Sequence, residues 1–402
     1  TLGNQATDSL TFAGGLTATS PVSINAAGQI STSGLNAINL GDAVVGSATG
    51  VTLTDNVVLS TAGGALNING AVNGSTADTQ SLTLNATSAG TVSVTSSLGQ
   101  TTSLKTLTLT NSNGATFASA VKADTSVVLS NTTTGQNITF QDNLTTPTLT
   151  TTANGYNLAL LGSNTNISDI QVATVFNNTG TLTLGNQATD TLTFAGGLTA
   201  TSPSSINAAG QISTSGVGII NLGDATVGSA TGVTLTDDVV LTTAGGNLNI
   251  NGTVNGTTAN TQSLTLNATS AGTVSVTSTL GQTTSLKTLT LTHSNGATFE
   301  SAVKADTSVV LSNTSGGQNI TFQDSLTTPT LTTTANGYNL ALLGSNTSIT
   351  GTLAATVFNH TGNLTLGNQA TDSLTFASGI TATAPSAIRL GGTLGSTDAD
   401  FR

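Results

Sequence analysis

Apolar residues along this chain come in short alternating pairs, with neither long runs nor helical stripes. Leu82/Leu84 is followed by Leu107/Leu109, Val127/Leu129, Leu149, Leu182/Leu184, Ile206, Val233/Leu235 and Leu264/Leu266. The steps between them are uneven, from 20 at the shortest to 33 at the longest. A second pair tends to follow some ten positions later, as in Val92/Val94, Ile138/Phe140 and Leu192/Phe194. Between pairs lie stretches such as NATSAG, NTTTGQ and GNQATD, whose Gly, Asn and Asp residues favour turns. Alternation of period two predicts strands with one buried face, a state that Thr, Val and Ile favour. No apolar period of 3.6 residues extends far enough to predict a helix.

Those steps add up to 182, which is also the period of the sequence itself. The phrase TLGNQATD stands at Thr1–Asp8, Thr183–Asp190 and Thr365–Asp372. Residues 1–182 align with 183–364 without a gap and differ at 26 positions, so about 86% match. The expected organisation is therefore one repeat copy over 1–182, a second over 183–364, and the start of a third over 365–402 that diverges after about residue 385. Self-similarity of this kind marks an array of stacked units. Seven rungs per copy follow from the steps.

Two architectures suit short strands at regular spacing. Tandem β-sandwiches fit the length, but the two halves of a copy do not resemble each other. Trp is absent and the only Tyr residues are Tyr156 and Tyr338, whereas sandwich cores usually hold such rings. A parallel β-solenoid explains more: an all-β chain whose coils stack through ladder hydrogen bonds over a narrow core of Leu, Ile, Val and Ala that admits few large rings. About fifteen coils are expected in one solenoid roughly 70–75 Å long, at ~4.8 Å per coil. Leu84, Val94 and Leu109 should point inward and Thr83 outward. Residues one repeat apart should occupy equivalent positions seven coils apart.

Composition then narrows the partners. Charged residues are 6% of the chain, the net charge is −11, and Lys+Arg number six. Lys105, Lys122, Lys287 and Lys304 are scattered singly, so no basic patch exists to neutralise a phosphate backbone; nucleic acid is not an expected partner. Docking to anionic membranes is disfavoured for the same reason. No run of ~20 apolar residues provides a transmembrane segment. Cysteine is absent, which suits a metal-free cytosolic protein or an exported chain that avoids disulfides. The chain lacks an initiating Met and opens inside a repeat, as expected of a fragment or mature product.

Phrases such as SLTLNATSAGTVSVTS (Ser81–Ser96) and GGNLNINGTVNG (Gly245–Gly256) resemble the β-strand repeats of very large bacterial surface exoproteins. They are similar to filamentous-haemagglutinin-type adhesin passengers, and the likeness covers the whole chain. The resemblance implies an extracellular, right-handed β-helix at the bacterial cell surface with a reach-extending or adhesive role in filaments and biofilm. It carries over no catalytic residues, and the family's N-terminal secretion segment is not part of this sequence.

Residues that could carry chemistry are few and scattered. Nucleophilic catalysis needs a base beside Ser or Thr. The only histidines, His293 and His360, correspond to Asn111 and Asn178 in the first copy, and both are read as solvated turn residues. Glu300, the sole Glu, corresponds to Ala118. Asp55, Asp237, Asp142 and Asp324 fall at turns or strand ends, where Asp usually bonds local backbone. Asp398 and Asp400 stand two apart, but only once, and are read as a turn, not a calcium site. No enzyme activity, metal or cofactor is expected.

The remaining polar feature is a threonine column. In five of seven rungs the outward residue between two core residues is Thr: Thr83, Thr108, Thr150, Thr183 and Thr234, with Val128 and Asn207 breaking the series. Hydroxyls stacked ~4.8 Å apart would offer an ordered ligand face for glycan or ice, although Thr also simply suits an exposed strand. The leading expectation is a non-enzymatic structural or adhesive segment of an extracellular fibre, with a carbohydrate- or ice-binding module as the alternative. Expected partners are the chain itself, within a longer chain or by end-to-end stacking into fibres, and a cell-surface glycan or another cell.

Overall fold

A computed structural model describes residues 1–44, 49–226 and 231–397. The described residues form parallel strands of two to twelve residues, joined by turns, with no helix among them. The chain divides into two compact units. The first is Thr1–Gly185 with Asp190–Phe194 and Ser202–Ser204; the second is Asn186–Thr189, Ala195–Thr201 and Ser205–Arg402. Each unit is a parallel β-solenoid, and their turns number about 16, against about fifteen expected.

Each coil of the first unit has three sides, and every side stacks in parallel register on the same side of the coil before. On side one, Leu10, Ile30, Leu59, Leu84, Leu109 and Leu129 form one inward column. On side two the column is Leu16, Ile38, Leu66, Val92, Ala115, Ile138, Leu158 and Leu182. Side three runs through Val51, Val72, Leu98, Val121 and Leu144. The second unit repeats the same pairings, for example Leu241–Leu266–Leu291–Leu311, and its sides are named after their counterparts in the first.

The expected alternation is what places these residues. In the strand Leu82–Asn85, Leu82 and Leu84 are buried while Thr83 between them is half-exposed. Val94 and Leu109 are buried as expected. Side chains on a strand alternate between faces, so two apolar residues separated by one polar residue mark one side of a coil. The ladder then fixes the stacking, because a slip of one residue would turn the whole apolar set outward.

The sequence repeat and the coil do not share a period. Leu192, the counterpart of Leu10, does not join the side-one column; it stacks on Thr165 of side three. Leu184, the counterpart of Leu2, lies on side two, whereas Leu2 bridges Ala26 on side three. Counting from Leu10 to Leu192 gives 23 sides, which is seven full coils and two further sides. The expectation that residues one repeat apart share the same position on the coil is thereby corrected. The long step from Leu149 to Leu182 crosses to the neighbouring side. The true successor of Leu149 on side one is the two-residue strand Thr174–Val175, where Thr151 bonds the Val175 carbonyl at 3.3 Å and the Asn177 amide at 2.7 Å.

The core also holds more rings than expected. Both Tyr and eight Phe residues are fully buried. Phe117 and Phe140, one coil apart on side two, stack at 4.6 Å with planes 7° apart, and Phe299 and Phe322 repeat this at 4.6 Å and 6°. Parallel register brings like residues to coil spacing, so flat rings stack as plates where bulky aliphatic pairs would leave gaps. Small polar residues line some corners: the Ser112 and Thr132 hydroxyls, both buried, bond each other at 2.8 Å, as do Ser294 and Thr314 at 2.9 Å.

The recurring phrase TLGNQATD is a corner. Gly3 has φ +73°, and a Cβ there would sit 2.3 Å from the Ala27 carbonyl oxygen; Gly185 and Gly367 have φ +72° and +71°. Asp8 accepts the Asn4 and Gln5 amides at 2.8 and 3.1 Å, closing the turn. Asp372 does the same for Asn368 and Gln369 at 2.8 and 2.9 Å.

Candidate functional site

The expected threonine column is only partly assembled. Thr83 and Thr108 are direct ladder partners on side one, and Thr150 lies on the same column with Val128 between. Val58 precedes Thr83 on it. Thr183 lies on side two, beside Ala159. Thr234 belongs to the second unit, between Asn207 and Asn255. Thr150 is exposed and the other four are half-exposed. Among the described residues, no intramolecular hydrogen bond holds the hydroxyl of Thr83, Thr108 or Thr150.

Side two presents a different outward surface. Its column reads Thr17, Asn39, Asn67, Ser93, Thr116, Thr139, Ala159 and Thr183. Here the amides bond one another: Asn67 donates to Asn39 at 2.8 Å, and Asn39 to Thr17 at 3.2 Å. Beside Ala159, Asn157 donates to Asn137 at 2.9 Å and accepts from the Thr181 amide at 2.8 Å. Such ladders stiffen the stack but leave few amides free for a ligand.

Each unit also has an open recess beside side one, at the same place in the repeat. In the first unit Thr148–Thr150 form one wall and Val172–Val175 the other; in the second, Pro329–Leu331 face Thr350–Thr356. The loop beside the recess is the most divergent part of the repeat, with six of the 26 differences at 166 and 168–172. It carries exposed apolar groups in both units: Ile170 and Val172 in the first, Leu353 in the second.

The titratable groups do not converge. Among the described residues no three His, Asp or Glu side chains lie together as metal ligands would. Asp142 and Asp324 accept their next backbone amides at 2.7 and 2.6 Å, as strand-end Asp residues are expected to. Asp55 and Asp237 bond the next amide and also reach another corner, accepting Ala6 at 2.9 Å and Ala188 at 3.0 Å. Asp398 and Asp400 lie outside the described residues. Burial raises the phenol pKa of Tyr156 and Tyr338 above 10.0, and their hydroxyls donate to the Leu129 and Leu311 carbonyls.

The histidine reading needs correction. His293 is half-exposed on the strand Leu286–Ser294, paired with Asn313, and not in a turn. His360 is fully buried. Its ring stacks on Tyr338 at 5.3 Å and meets Phe358 edge-on at 6.0 Å, and neither ring nitrogen has a hydrogen-bond partner. Burial, partly offset by the nearby Asn363 backbone, holds its pKa below 6.5. Asn178, its first-copy counterpart, is equally buried and reaches the Tyr156 carbonyl at 3.4 Å. The signal was in the alternation: Thr356, Phe358 and His360 are two apart, and all three point inward.

Taken from the residues upward, this chain is a parallel β-solenoid repeat protein. It matches no known protein family, no curated protein and no solved structure.

Proposed function

We propose that the chain is a non-enzymatic, reach-extending and adhesive segment of an extracellular fibre on a bacterial surface. One observation carries the reading: every side needs only the side one coil earlier as its partner, and the sequence repeat preserves that relation although 23 is not a multiple of three. A body built this way lengthens by adding copies, without any new kind of contact. An outer surface of Thr, Asn and Ser with scattered charges suits a part that spans distance. The divergent loop beside each recess supplies the adhesive part, since binding residues concentrate on variable loops held by a rigid scaffold.

Immunogold electron microscopy of intact source cells, with antibodies raised against this chain, tests the proposal. Gold along fibres outside the envelope is the expected result. Label that appears only after the cells are opened would refute it.

A further inference from the structure

The outward face of side one is built alike in both units. In the first its centre runs Val58, Thr83, Thr108, Val128, Thr150, and in the second Val240, Thr265, Thr290, Val310, Thr332. All ten residues are β-branched and uncharged. Ladder register holds at each of these positions, so a methyl-bearing side chain recurs every ~4.8 Å over five coils. The column beside it, Thr106, Ser126 and Thr148, is equally small. Acidic groups stand at the margins: Asp124 and Asp306 are bonded to Ser103 and Ser285, and Asp238 borders Val240.

We propose that this face of a unit packs against the same face of the same unit in a second copy of the chain, side by side. An occupant must keep pace with the coil spacing over five coils, or its contacts drift out of register. Another parallel β-stack has that spacing by construction, and a second copy supplies it. Charge points the same way: two chains of net charge −11 approach with least repulsion along the uncharged central column, beside which Lys105 and Lys287 add positive charge. Short β-branched side chains on flat, in-register strands interdigitate into dry contacts between sheets ~10 Å apart. The pairing concerns the sides of the solenoid and does not depend on where the fibre is displayed.

Small-angle scattering and sedimentation of the 402-residue chain across a concentration series test this. The expected result is an average molecular mass that rises at least twofold with concentration and falls again on dilution. Thr108→Lys combined with Thr290→Lys should hold it at the single-chain value, while Thr108→Val with Thr290→Val should still pair. Both double variants should keep the wild-type circular dichroism and melting curve. Lysine reduces the net negative charge, so a loss of pairing would report the face and not overall repulsion. A wild-type chain that stays single at every concentration, or a lysine variant that associates as well, would each overturn the proposal. So would a chain that stays single yet uses this face to bind a polysaccharide matrix or halt ice growth.

Discussion

Leu84→Ala and Leu149→Ala remove the same three carbons from the same side of the first unit, yet they should differ in cost. Leu84 is fully buried, with Leu59 stacked on one side and Leu109 on the other, both also buried. Removing three buried carbons costs about 2.4 kcal/mol at about 0.8 kcal/mol each. Ladder bonds above and below hold the coils apart, so the cavity cannot collapse, and the total should approach about 4 kcal/mol. Leu149 stacks on Val127, but its next coil offers only the short strand Thr174–Val175, and the residue is among those that line the open recess. There the gap can relax or fill with water, so the cost should stay near about 2 kcal/mol. Repeat arrays need not unfold in one step, so a global midpoint is a poor readout. Native-state hydrogen exchange at the amides of Leu82–Asn85 and Thr148–Thr151 reads each coil directly. If Leu149→Ala proved as costly as Leu84→Ala, the account of a rigid inner column and a yielding recess would be wrong. Thr83→Asp, one residue from Leu84 but pointing outward, should change local stability by no more than about 0.5 kcal/mol.

Other outcomes follow from single groups. His360 has a lower pKa folded than unfolded, so its contribution is complete above about 6.5 and is lost as pH falls below it; His360→Asn should flatten that part of a melting-temperature profile between pH 7 and 5. Gly99 has φ +69° and a Cβ there would lie 2.2 Å from the Lys122 carbonyl, whereas Gly135 has φ +79° and open space. Gly135→Ala should therefore cost about 1–2 kcal/mol and Gly99→Ala clearly more, as read by chemical denaturation. Asp372→Ala removes two bonds to a buried carboxylate and should cost about 2 kcal/mol, with faster exchange at the Asn368 and Gln369 amides.

The strands were legible in the sequence because burial and period two coincide: Leu82, Leu84, Leu107 and Leu109 lie where their alternation put them. The count of sides was less legible. Thr174 and Phe176 form a complete side with only one large apolar residue pointing inward, so the spacing rule passed over it and landed on Leu182. The ring stacks were hidden for another reason. Phe117 and Phe140 stand a whole coil apart along the chain, and nothing local says that they meet. Of the threonine column, Thr83, Thr108 and Thr150 share a face. Thr183 and Thr234 do not join them, because that depends on coil lengths that composition cannot set.

The mismatch between 23 sides and a three-sided coil separates the unit that is inherited from the unit that folds. Nearly identical stretches of coding sequence recombine readily, and an array of them gains or loses whole copies. In a structure where each copy filled a fixed number of complete turns, that freedom would be an accident of arithmetic. Here no arithmetic is required. A side carries no label beyond its pattern of large and small residues, and it seeks only the side three places before it. Insert a whole copy or delete one, and every surviving side still finds its former kind of neighbour. Such a chain can vary in length from one generation to the next without its fold having to be selected anew.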